Sequence, residues 1–174
     1  MAKKIKLRDY QKSILDKLEE VRVDTSTVAA NYLGVEINGR NVLVDLLEIS
    51  ETLVVEGIQP VPLVKPWFLG MTNVRGVLYA MNDLAQLLDH HHTVVSSDTR
   101  MLLINENIIS NMGILVDKLI GLRNIKAFIR RKNTKKVSPC FKQDSYVDKE
   151  KKVWYVLDCE KLVASKDFEV PYAA

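Results

Sequence analysis

Tyr32-Leu33-Gly34-Val35-Glu36-Ile37-Asn38-Gly39-Arg40-Asn41-Val42-Leu43-Val44-Asp45 is the stretch that decides the fold class. Two apolar runs flank Asn38-Gly39. A two-residue hairpin turn needs positive φ at both central positions, which Asn and Gly adopt at the lowest steric cost. The stretch therefore predicts a β-hairpin. Downstream, residues 52–55 continue with β-branched side chains. Pro60, Pro62 and Pro66 then interrupt any ladder, because proline offers no N–H to a neighbouring strand. Residues 68–74 and 77–81 form a second apolar pair around Arg75-Gly76. Gly70 and Gly76 mark places where φ or a close approach excludes a Cβ. Asp83 is placed to cap a short helix over 84–88.

The same texture returns after a polar seam at 89–97. Strands are expected at 100–104, 112–116, 122–129 and 153–157, with a polar loop over 130–152. A last helix, capped by Asp158, is expected to run through Val163. Many short strands with closely spaced turn signals predict an all-β fold with minor helix, organised as two packed small β-barrel lobes. The two halves look alike in outline, so the lobes are expected at about 27–95 and 96–168, with a tail at 169–174. Upstream, Leu7, Tyr10, Ile14, Leu15, Leu18 and Val21 recur at helical spacing, which predicts a helix over 7–22 within an N-terminal helix-and-linker segment, 1–26. Its apolar stripe would rest on the protein's own body or in a partner's groove.

Composition narrows the function. The chain has 174 residues, 47% hydrophobic and 27% charged, which is ordinary for a folded domain. No apolar run suits a signal peptide or a membrane span. The two cysteines, Cys140 and Cys159, form no CxxC pair, and a reducing cytoplasm with free thiols is expected. GxSxG, HExxH, Walker A and GxGxxG motifs are all missing, and His90, His91 and His92 are consecutive, a spacing poorly suited to one metal. No catalysis, cofactor or metal is expected. Residues 122–136 carry seven basic side chains (Arg123, Lys126, Arg130, Arg131, Lys132, Lys135, Lys136) and no acidic one. They fit a solvated strand edge, or a patch for an acidic partner or nucleic acid. A nucleic-acid-binding barrel is the alternative function, although only one aromatic, Phe128, lies in the stretch.

Residues 58–88, IQPVPLVKPWFLGMTNVRGVLYAMNDLAQLL, resemble the CheW family of chemotaxis coupling proteins. The match lies in Pro66-Trp67-Phe68-Leu69-Gly70, Asn73-Val74-Arg75-Gly76 and Asp83-Leu84. It extends to Leu46-Leu47-Glu48-Ile49-Ser50-Glu51, to Gly113-Ile114-Leu115-Val116-Asp117 and to residues 156–163. Within the family, residues 67–71 and 76–79 look most like the PilI branch of twitching-motility (type IV pilus) systems. Val74 replaces the family's usual Leu, and residues 78–82 lack its usual Pro. The resemblance implies a cytoplasmic adaptor between a CheA-type histidine kinase and the cytoplasmic tip of a methyl-accepting chemoreceptor. It implies that Ile49, Glu51, Leu115 and Val116 line a receptor groove, with Asn73, Val74, Arg75 and Gly76 as a functional element beside them. Strand alternation would put Ile49 and Glu51 on one side. Arg75 would be an internal strut, or would reach an acceptor on a partner.

Overall fold

The computed structural model describes residues 31–133 and 137–169. The expected helix at 7–22 and its linker lie outside the described residues. Eleven strands follow in order: β1 (Tyr32–Ile37), β2 (Arg40–Asp45), β3 (Ile49–Val54), β4 (Phe68–Val74), β5 (Val77–Asp83), β6 (Arg100–Ile104), β7 (Met112–Val116), β8 (Lys118–Arg123), β9 (Ile129–Lys132), β10 (Phe141–Val147) and β11 (Val153–Leu157). The helices are α1 (Leu84–Asp89), α2 (Cys159–Val163) and α3 (Lys166–Glu169). Two 3-10 turns lie at Leu46–Glu48 and Ile125–Ala127.

The first hairpin forms as its sequence requires, with Asn38 at φ 48° and Gly39 at φ 71°. Asp83 caps α1 by accepting from the Gln86 N–H at 3.1 Å, and Asp158 caps α2 by accepting from the Lys161 N–H at 3.0 Å. Gly70 has a further reason to be glycine. Its φ is 135°, and a Cβ there would sit 2.0 Å from the Gln59 carbonyl oxygen.

The strands form two sheets, ordered β8-β1-β2-β11-β10-β9 and β3-β6-β7-β5-β4. The expected pair of packed β lobes is therefore present, but the lobes do not divide at residue 95. The second sheet takes every strand from 49 to 116. The first takes both flanks of that segment, because β11 pairs parallel with β2 (Trp154 opposite Asn41) and β8 pairs with β1 (Tyr32 opposite Arg123). A likeness between sequence halves cannot reveal a parallel pairing across more than a hundred residues.

Two local expectations also change. The strand expected over 122–129 is broken. Asn124 caps the turn Ile125–Ala127 by accepting from the Lys126 N–H at 2.9 Å, which ends β8 at Arg123. The loop expected over 130–152 contains most of β9 and all of β10. β10 is hard to read because Lys142, Gln143, Asp144 and Ser145 are all polar. Ser145 is nonetheless fully buried, and it satisfies its hydroxyl on Asn133 Oδ1 at 3.0 Å.

Side chains from the sheets build three apolar clusters. One lies within the first sheet's lobe around Tyr32, Leu43, Trp154 and Val156. Another lies within the second sheet's lobe around Met81, Met101, Leu103 and Leu115. The largest is the seam where the sheets meet, including Val35, Val42, Leu102, Ile104, Ile114 and Val116. Trp67 belongs to the seam and stacks on Phe168 with ring centroids 5.2 Å apart. Burying a large apolar side chain contributes about 1.5–3 kcal/mol, so this seam is a major part of what holds the sheets together.

Candidate partner-binding surface

The second sheet closes where the segment after β3 meets its other edge strand, β4. Gln59 and Met71 exchange backbone hydrogen bonds at 2.7 and 2.9 Å, and the Thr72 hydroxyl donates to the Glu56 carbonyl at 3.0 Å. Farther along the same junction Arg75 donates to both oxygens of Glu51, at 3.0 Å from Nη1 and 2.6 Å from Nη2. This two-pronged pair bridges the β4–β5 turn and β3. Arg75 itself has φ 52°, and Gly76 has φ 89°, so the turn is the primed two-residue type that right-handed strand twist favours. The Asn73 Oδ1 fixes the turn by accepting from the Gly76 N–H at 2.8 Å. Val74 packs with the cluster inside the lobe. Asn73, Val74, Arg75, Gly76 and Glu51 thus come together at one place, and the Arg75 acceptor lies in its own chain.

Ile49 and Glu51 do not share a face. β3 carries a bulge: Ile49 stands opposite Ile104 and Glu51 opposite Leu103, leaving Ser50 between them. Ile104 points into the seam and Leu103 into the lobe interior. Directly opposed residues point the same way, so the bulge sends Ile49 toward the seam and Glu51 to the other side. The simple alternation expected from the sequence fails by one inserted residue.

Leu115 and Val116 are also relocated. They are 1% and 0% exposed, on opposite faces of β7, and belong to different apolar clusters. Neither side chain is offered to a partner. Their apolar character reflects a central strand with both faces covered.

What lies open beside Ile49 is the 3-10 turn before it. Leu47 is 82% exposed and Leu46 36%. Asp45 Oδ1 accepts from the Leu47 N–H at 3.0 Å, which shapes the turn. Asn105 ties the next loop to it, donating from its backbone to the Glu48 carbonyl at 2.9 Å and from its side chain to the Leu47 carbonyl at 3.2 Å. Ile49, Ile108, Ile109 and Met112 are half-buried against the seam. The signal that could have found this edge was two adjacent leucines immediately after a capping Asp.

Glu48 sits between this edge and α2, accepting from the Cys159 N–H at 3.3 Å. Burial holds its carboxyl above the usual range despite that hydrogen bond. Burial likewise pushes the Cys159 and Cys140 thiols up, which disfavours the nucleophilic thiolate. Of the histidines, His91 Nδ1 lies 2.7 Å from the Asp89 carbonyl and His92 Nδ1 lies 3.5 Å from Asp83 Oδ2. Among the described residues no cluster of His, Cys, Asp and Glu could hold a metal, and no helix is long and apolar enough to cross a membrane. A cavity of about 490 Å³ lies between α1 and residues 138–140, lined by Trp67, Leu87, Leu88, Pro139 and Leu162, and it contains none of the expected site residues.

With this geometry in view, residues 31–167 match the CheW-like domain. The chain belongs to the CheW family. Among solved structures, the CheW-family fold here is similar to the crystal structure of the scaffolding protein TtCheW from Thermoanaerobacter tengcongensis. The TM-score is 0.66 at 14% identity, covering 80% of this chain and 96% of that one. At that identity the likeness concerns the fold. No curated protein matches the sequence.

Proposed function

We propose that this CheW-family chain is a non-catalytic adaptor that couples a chemoreceptor-type sensor to a CheA-type histidine kinase. The observation that carries the reading is the family match across nearly all described residues, joined to an apolar edge left open among the described residues. Leu46, Leu47 and Ile49 lie at the mouth of the seam, where an amphipathic receptor helix would find an apolar stripe on a rigid support. Glu51 and the turn residues 73–76 form a second contact area beside β3. Leu115 and Val116 support the site from beneath as core residues. The wording of residues 67–71 and 76–79 favours a type IV pilus pathway, acting in the cytoplasm.

The test is binding of the full chain to a CheA-type regulatory domain and, separately, to a receptor's cytoplasmic tip. Ile49→Asp and Leu47→Asp should each weaken receptor binding about tenfold or more, the usual range for a buried apolar anchor, while kinase binding stays near normal. Equal loss of both, with folding unchanged, would remove Ile49 and Leu47 from the receptor site. Failure of the unmodified chain to bind any kinase regulatory domain would overturn the adaptor role.

A further inference from the structure

The basic segment is unused by this adaptor reading. Between Lys118 and Gln143 the chain has nine Lys and Arg and no Asp or Glu. β9, Ile129–Lys132, lies inside that segment and ends the first sheet. It pairs only with β10, with Ile129 opposite Val147 and Lys132 opposite Asp144. Its other edge has no strand beside it among the described residues. All four of its residues are exposed, and Ile129 is 74% exposed. An open strand edge bearing a bare isoleucine is a template for a further strand.

The cations there are not all engaged internally. Arg130 is held by Asp144, with its Nε donating at 2.7 Å, and Arg123 lies over the Trp154 ring at 5.7 Å. Among the described residues, Arg131, Lys132 and Lys126 have no ion-pair partner. We propose that the outer edge of β9 receives an extended acidic protein segment as an added strand, with Arg131, Lys132 and Lys126 pairing its carboxylates and Ile129 meeting an apolar side chain. The strand edge supplies backbone hydrogen bonds, and the side chains set the sign of the partner. Nucleic acid fits this surface less well. Single-strand binders stack bases on exposed aromatics, whereas Phe128 is half-buried against the lobe's core, edge-on to Trp154 at 5.6 Å.

The experiment uses the full chain and a short fluorescein-labelled peptide of repeating Val-Val-Glu-Glu, which presents both side-chain types on each face of a strand, followed by fluorescence anisotropy. The peptide should bind, and binding should weaken as salt rises from about 50 to about 500 mM, as screening requires. Arg131→Glu with Lys132→Glu should weaken it about tenfold or more, since two attractions become repulsions. Both residues are exposed, so the variant should melt with the unmodified chain, and Lys126→Glu supplies an independent charge reversal outside the strand. A Val/Gln peptide should not bind. A peptide N-methylated at every residue keeps its charge but loses the backbone donors of both edges, and it should bind weakly. Equal binding of the N-methylated peptide would show charge attraction without strand addition and overturn the proposal. Full competition by a mixed single-stranded oligonucleotide, or unchanged affinity in the double variant, would also overturn it.

Discussion

Arg75→Ala tests whether the Arg75–Glu51 pair is a clasp of consequence for stability or a small contribution. The geometry is favourable: two donors meet two acceptors at 3.0 and 2.6 Å. The setting is wet, with the Arg75 side chain 75% exposed and that of Glu51 30%. Exposed pairs of this kind contribute about 0.2–1 kcal/mol after screening and side-chain ordering. The same junction keeps its Gln59–Met71 and Thr72–Glu56 hydrogen bonds in the variant. Ala inherits the positive φ that Arg75 occupies, so that backbone cost is unchanged. Arg75→Ala should therefore lose at most about 1 kcal/mol, or roughly 2–4 °C in Tm for a domain of this size. Arg75→Gly behaves differently. It also loses the ion pair, but it relieves a left-handed conformation costing about 1–2 kcal/mol, against about 0.4–1 kcal/mol of added unfolded-chain entropy. It should be more stable than Arg75→Ala. The assay is urea unfolding followed by the fluorescence of the buried Trp67 and Trp154. A loss above about 2 kcal/mol for Arg75→Ala, or a glycine variant weaker than the alanine one, would refute this account of the turn.

Other expectations follow from burial and contact. Leu115→Ala should cost about 2–5 kcal/mol of stability, the range for emptying a packed core position; a near-neutral melt would return Leu115 to the surface. Gly70→Ala should cost more than about 3 kcal/mol, because its Cβ would overlap the Gln59 carbonyl and its φ is unsuited to a side chain, and an unchanged urea midpoint would contradict the close approach. Asp148 accepts from the Trp154 indole at 2.9 Å and from the Glu150 and Lys152 N–H groups, and the indole hydrogen bond leads in holding its carboxyl below the ordinary 3.8. A lowered folded-state value means its stabilisation is present above that ordinary value and is lost as pH falls through the lower one. Acid titration followed by Trp fluorescence should show this loss, and Asp148→Asn should lack that component.

Much of the β architecture was legible because turn chemistry is local. Asn38-Gly39, Asp83 and Asp158 each act on atoms a few residues away, and each does what its side chain requires. Pairing partners were not legible in the same way. The neighbours of β2 and β1 are set by β11 and β8, which lie far along the chain. β10 was hidden because its inward position carries Ser145, whose burial depends on Asn133 across the sheet. The candidate site was half legible. The Asn73–Gly76 turn stood out, and its meeting with Glu51 follows from sheet curvature. Ile49 and Glu51 parted because a bulge at Ser50 leaves no strong mark in composition. Leu115 and Val116 resembled contact residues only by family pattern, since an apolar strand reads alike whether it is covered by its own fold or by another protein.

The interleaved sheets also dictate an order of events during synthesis. Every strand of the second sheet emerges from the ribosome in one unbroken run, so that lobe can close while translation continues. The first sheet cannot, because the edge of β2 waits for β11, which pairs with it through residues 154–156. Until then a nascent chain carries Val42, Leu43 and Val44 on an uncovered strand, a period in which a chaperone or a neighbouring nascent chain has access to what later becomes wholly interior.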